Sequence, residues 1–295
     1  MKILDNPSRS RGYRHREEAL ALYATGSFDK ALERFKESRR LVDDSFFDLL
    51  AVRLCRCYQA FIDMDLACLK QRIRECRETL DIRGVQAVVD NRLDFAGHLN
   101  GLDQFASGQE LSEPAGYAEL ARIYSRQNRH DFAVLLWYRT MEAVIQWKLQ
   151  QLCPGFRANR PDYEALVKQS ETKVRTVDEL AEKYGKLGDD PQASLPPRIA
   201  LMAGFGLLCL LTDLPKRFRN TNAKKAVQQL RNLSEIRNQS YLAHGNGNLS
   251  ETNKKEIAEA AVDLARAAMD HQFAEFEGIR AMIRPCRLQN LLEQP

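Results

Sequence analysis

Apolar residues along this chain recur at intervals of three and four, and no convincing run of alternating β-branched residues interrupts them. That period predicts amphipathic helices and a nearly all-α protein. From Tyr13 the pattern reads as a helix, a turn at Gly26 and a second helix through Phe35, with Ala19 and Ala31 small enough for close helix packing. Two further helices are expected over 45–68 and 69–97. Residues 1–12, with Pro7, Gly12 and alternating arginines, read as a flexible basic arm. Gly101 to Gly116, which includes Gly108 and Pro114, reads as a loop and the preferred domain boundary.

The second half follows the same period. A helix over Tyr117–Tyr124 ends near Asn128. A long one then starts near Asp131, with an apolar stripe of Phe132, Leu135, Leu136, Met141, Val144, Ile145 and Leu149. Pro154-Gly155 stops it. An insert over 155–198 holds a helix at Thr176–Tyr184 and a breaker run from Gly185 to Pro197. A buried helix over 199–213 follows, then one from about Asn222 to His244. A last helix, with Ser250 as a fair N-cap, runs to about Glu277. The expected organisation is an arm (1–12), a helical amino-terminal region (13–110) and a carboxy-terminal functional domain (111–295). The opening hairpin resembles one tetratricopeptide-type repeat.

Composition adds little until it is localised. The 295 residues carry a net charge of only +4. From Pro215 to His244, however, Lys216, Arg217, Arg219, Lys224, Lys225, Arg231 and Arg237 face one acid, Glu235. Such an imbalance suits an anionic partner such as RNA. Seven cysteines without CxxC pairing read as reduced core thiols of a cytoplasmic protein. No signal peptide is visible, and the apolar stretch Ile199–Leu211 is too short to span a membrane. No P-loop, nucleophile elbow or H-x-x-x-H spacing occurs, so neither a cofactor nor a metal is expected.

The most informative segment is Arg237-Asn-Gln-Ser-Tyr-Leu-Ala-His244, stopped by Gly245. Seven helical residues return a side chain to within about 20° of its starting direction, so Arg237 and His244 share one face. A guanidinium that grips phosphate and an imidazole that titrates near neutrality are what metal-free RNA cleavage requires. The looser expression R-x(4–6)-H, which this segment fits, also matches Arg9…His15, Arg92…His98 and Arg266…His271. The first lies in the arm. In helices the second and third pairs would sit about 120° and 140° apart. Only Arg237 and His244 combine a shared face, a helix end and an adjoining polar loop. Asn238 and Ser240 could orient the substrate or the imidazole. Lys224, Lys225 and Arg231 are candidate RNA contacts.

Asp131 to Leu149, in its Tyr138-Arg139-x-x-Glu142-x-x-x-Gln146 form, resembles the first core helix of CRISPR-associated HEPN ribonucleases. Leu233 to Gly245, with its Leu-Ala-His-Gly ending, resembles their R-x(4–6)-H motif helix. The resemblance implies an all-α HEPN bundle, preceded here by the helical-hairpin layer. It implies a homodimer in which two motif helices form one cleft for single-stranded RNA, with Arg139 in a supporting role. Family members often carry an amino-terminal cyclic-oligoadenylate sensor with a Rossmann-like sheet. No Gly-rich strand–turn–helix unit precedes the helices here, so the expectation is a chain without that sensor, leaving a separate regulatory protein open. Two alternatives stay open: a non-catalytic helical adaptor, and a HEPN toxin silenced by a partner.

Overall fold

Helix α1 (Pro7–Ala24) starts at a proline, whose fixed φ and missing N–H suit the first turn of a helix, and runs through Gly12. The basic arm expected over 1–12 is therefore helical from residue 7. Packing explains the difference. A Cβ on Gly12 would come within 2.5 Å of Val42 Cγ2, so only glycine lets this turn approach the end of α2 (Phe28–Leu41). One turn later Arg16 is buried and forks onto Asp48, with both nitrogen–oxygen distances 3.0 Å, while Ser38 Oγ donates to the same carboxylate at 2.9 Å. The computed structural model describes residues 7–42, 45–83, 89, 94–172, 174–188, 194–219, 221–238 and 250–291, and no strand occurs among them.

The chain divides into two compact units, Met1–Arg129 with Gly278–Pro295, and His130–Glu277. In the first, α1, α2, α3 (Ser45–Ile62) and α4 (Leu66–Arg83) pack in succession. Ala19 and Ala31 are fully buried, as the hairpin pattern requires. Phe28 stacks on Tyr58 with ring centroids 5.1 Å apart. The break between α3 and α4 falls at 63–65 rather than at 68, because Met64 is left-handed and Asp65 Oδ1 caps Cys68 N–H at 2.9 Å. Helices α5 (Phe95–Ala106) and α6 (Ser112–Arg126) reduce the expected 101–116 loop to 107–111. Ser112 Oγ closes that short turn onto the carbonyls of Gln104 and Gln109.

The second unit is built on α7 (His130–Leu152), packed most extensively against α13 (Glu251–Met269) and also against α10 (Leu201–Leu211). A Cβ on Gly204 of α10 would lie 2.6 Å from Ile145, so this glycine sets the closeness of that crossing. Helices α8 (Tyr163–Lys168) and α9 (Val177–Leu187) form the insert, N-capped by Asp162 and Thr176. A short α11 (Leu214–Arg217) leads to α12 (Ala223–Asn238), the motif helix. Ser250 caps α13 as expected, accepting from Asn253 N–H at 3.1 Å.

Two expectations need correction. The last helix is not continuous to Glu277: Asp270 takes φ 51°, its carboxylate held by Arg217 at 2.7 Å, and α14 (Phe273–Ile283) starts afresh. The apolar stripe of α7 is also shifted. Val134, Trp137, Met141, Val144 and Leu149 are buried, whereas Phe132 is exposed and Leu135 and Leu136 are half-buried.

Candidate functional site

Helix α12 is held by its apolar side. Ala226, Val227, Leu230 and Leu233 are buried, and Asn222 Oδ1 caps its start at Lys225 N–H, 2.9 Å away. One hydroxyl joins three helices: Ser234 Oγ lies 3.1 Å from Tyr138 Oη of α7, 3.1 Å from Leu230 O and 3.5 Å from Met202 Sδ of α10. Ser234 is nearly buried, so these contacts replace water and fix the rotation of α12 against α7. The backbone register carries that orientation one turn on, to the position of Arg237.

Arg237 and Asn238 form the last described residues of α12, and Asn238 is exposed. The side chain of Arg237, and all of Ser240 and His244, lie outside the described residues. Lys224 and Lys225 are exposed at the opposite end of the helix, about 20 Å from Arg237 at 1.5 Å per residue. Arg231 is half-buried, on a helix direction about 120° from that of Arg237. The fold therefore spreads the candidate RNA contacts along α12 instead of gathering them around one point.

Arg139 is closer to the junction by sequence and geometry. It follows Tyr138 on α7 and pairs with Glu142 at 2.7 Å. Leu135, Tyr138, Arg139 and Glu142 line a cleft of about 480 Å³. With Phe132 exposed and Leu135 half-buried beside it, this face of α7 is partly apolar and partly charged.

The rest of the basic run is less available than its composition suggests. Arg217 pairs with Asp213 at 3.0 Å and with Asp270, and Arg219 pairs with Asp263 at 3.2 Å. Asp213 lies just before the run, while Asp263 and Asp270 come from α13 and its end. Three of the other histidines have structural surroundings, and the fourth, His271, is exposed. His15 lies near Glu18 and Glu37, His98 Nδ1 is 2.8 Å from Met282 O, and His130 is 3.9 Å from Glu251. The seven cysteines are free, and all but Cys68 are buried. No helix among the described residues is long and apolar enough to cross a membrane.

Sequence reasoning missed Ser234. A serine inside an apolar stripe, one turn before the motif arginine, is the signal that could have marked it.

Residues 117–268, more than half of the chain, match the family model of the Csm6 HEPN domain, and both sequence blocks fall inside that match. No curated protein matches the chain. An all-helical second unit built on α7, with the motif helix keyed to it through Ser234, agrees with that family's all-α domain. The chain belongs to the Csm6 HEPN-domain family and is a CRISPR-associated, ribonuclease-like protein.

Proposed function

We propose that the protein is a metal-independent endoribonuclease that cuts single-stranded RNA, acting as a homodimer in cytoplasmic antiviral defence. The observation that carries this reading is the family match enclosing the whole Arg237–His244 segment. The RNA supplies its own nucleophile. His244 moves protons: it takes the 2′-hydroxyl proton as that oxygen attacks phosphorus, and the leaving 5′-oxygen is protonated as its bond to phosphorus breaks. The products are a 2′,3′-cyclic phosphate and a 5′-hydroxyl. Arg237 holds the phosphate and stabilises its developing negative charge. Asn238 and Ser240 orient the substrate or the imidazole.

Two copies of the motif helix about a two-fold axis would bring two arginines and two histidines to one phosphate. The exposed Phe132 and half-buried Leu135, beside the Arg139 cleft, support a second chain on this face. Lys224, Lys225 and Arg231 then bind RNA away from the scissile bond, and Arg139 supports the cleft.

The test is cleavage of a fluorescent single-stranded RNA in EDTA by the wild type and by His244→Ala, with product ends identified. Cleavage by the wild type alone, leaving cyclic phosphate, is the expected result. Chelator-sensitive cleavage would overturn the mechanism. Equal inactivity of both, with a partner complex retained, would favour the adaptor reading. Toxicity of the chain expressed alone, lost in His244→Ala, would favour the toxin reading.

A further inference from the structure

The first unit contains a cavity of about 530 Å³ whose lining is strongly cationic and carries no acid among the described residues. Arg122 and Arg126 reach it from α6. Arg284 and Arg287 come from the carboxy-terminal segment, which follows the end of α14 at Ile283. His98 of α5 also lines it, its Nδ1 engaged with Met282 O. That segment is anchored: Cys286 and Leu288 are buried, Cys286 Sγ lies 3.7 Å from Tyr23 Oη, and Tyr58 Oη donates to Arg284 O at 3.1 Å.

The charge balance around this cavity is uneven. One buried carboxylate, Glu119, serves three guanidiniums: Arg122 at 2.9 Å, and Arg280 and Arg284 each at 3.4 Å. Arg126 and Arg287 have no carboxylate partner among the described residues, and both are exposed at the cavity. Burial, together with Arg122 and Arg284 nearby, holds the Arg126 guanidinium below its ordinary value, with Glu119 opposing. Tyr23 and Cys286 do not offset the cations. Burial pushes the Tyr23 phenol well up, and it pushes the Cys286 thiol up to about 12, so both stay protonated. A concave site with surplus guanidiniums wants an anion that brings several charges at once. A phosphate group matches the forked geometry of arginine, and the volume falls within the usual range of about 300–1,000 Å³ for small-ligand sites.

We propose that this cavity of Arg122, Arg126, Arg284 and Arg287 binds a small polyphosphorylated anion, at a site separate from the motif helix. The site stands whether or not the chain cleaves RNA. Its size favours a compact ligand over an RNA strand, which would need an open track.

Calorimetric titration of the full-length protein with tripolyphosphate, at fixed ionic strength, tests the assignment. The wild type should bind one equivalent per chain saturably and more tightly than sulfate. The Arg126→Ala, Arg287→Ala double variant should bind at least tenfold more weakly while keeping its unliganded Tm, because neither side chain has a carboxylate partner among the described residues. Arg126→Lys should keep most of the affinity, and Lys224→Ala, Lys225→Ala all of it. Equal affinity in the wild type and the double variant, or no saturable binding to the wild type, would overturn the site. Displacement of tripolyphosphate by a single-stranded RNA would overturn the small-anion assignment in favour of an RNA surface.

Discussion

The two cationic regions of this protein are built in opposite ways. Along 216–237 the basic residues are neighbours in sequence, yet Arg217 and Arg219 are matched by Asp213, Asp263 and Asp270. In the first unit, Arg122, Arg126, Arg284 and Arg287 come from segments more than 150 residues apart, and Glu119 pairs with only two of them, Arg122 and Arg284. The dense run is thus partly neutralised, whereas the scattered set converges on a cavity. Charge counted along a chain measures neither the potential at a surface nor the availability of a guanidinium, because the counter-charge can come from any element packed alongside.

The motif helix should lose most when changed. His244→Ala and Arg237→Ala are each expected to lower RNA cleavage by about 100-fold or more, with Tm unchanged. Residual cleavage within a few-fold of wild type in both would remove the proposed chemistry from this segment, and with it the functional contrast between the two regions.

A buried guanidinium pair gives the next effect. Asp48→Ala leaves Arg16 buried without its carboxylate and should destabilise the chain by about 3–5 kcal/mol, read by chemical denaturation. Arg139→Ala removes a pair that is 67% exposed on its arginine side, and the loss should stay below about 1 kcal/mol. Similar losses for the two would show that burial does not separate paired from available arginines here.

Ser234→Ala and Tyr138→Phe each delete one side of the hydroxyl contact between α12 and α7, and should cost about 1 kcal/mol. If the contact orients the motif helix, Ser234→Ala should also lower the cleavage rate more than its small change in Tm accounts for. An unchanged rate would reduce Ser234 to a packing residue.

The smallest effect concerns RNA affinity. Replacing Lys224 and Lys225 by alanine should weaken single-stranded RNA binding and reduce the salt slope by about 0.7 for each phosphate no longer neutralised. Arg217→Ala should leave that slope unchanged, because its charge is already matched by Asp213 and Asp270. Equal slopes for all three proteins would mean that the exposed lysines of α12 do not meet the phosphate chain.

Where the apolar period was strong, helices were legible to within a few residues: α2, α7, α10 and α13 begin or end close to where spacing, Pro154-Gly155 and the Ser250 cap imply. Misreadings fell where a distant contact overrides local propensity. Residues 7–12 are helical because Gly12 permits the approach of α2, and the break at Asp270 is held by Arg217. The site was legible only as a motif. Arg237 lies in the last described turn of α12 and the rest of the motif falls outside the described residues, while the Ser234 junction has no counterpart in the expression Arg-x6-His.

By itself the sequence determined the helical class and the order of the two HEPN blocks, and it set the expectation that Arg237 and His244 share one helical face. Each of these follows from spacings of a few residues, and helix geometry converts such spacings directly into direction. Only the tertiary structure decided which arginines are neutralised and which converge on the cavity beside Pro285. Those outcomes depend on contacts between distant residues, such as Glu119 with Arg284, 165 positions apart, and no local period encodes such separations.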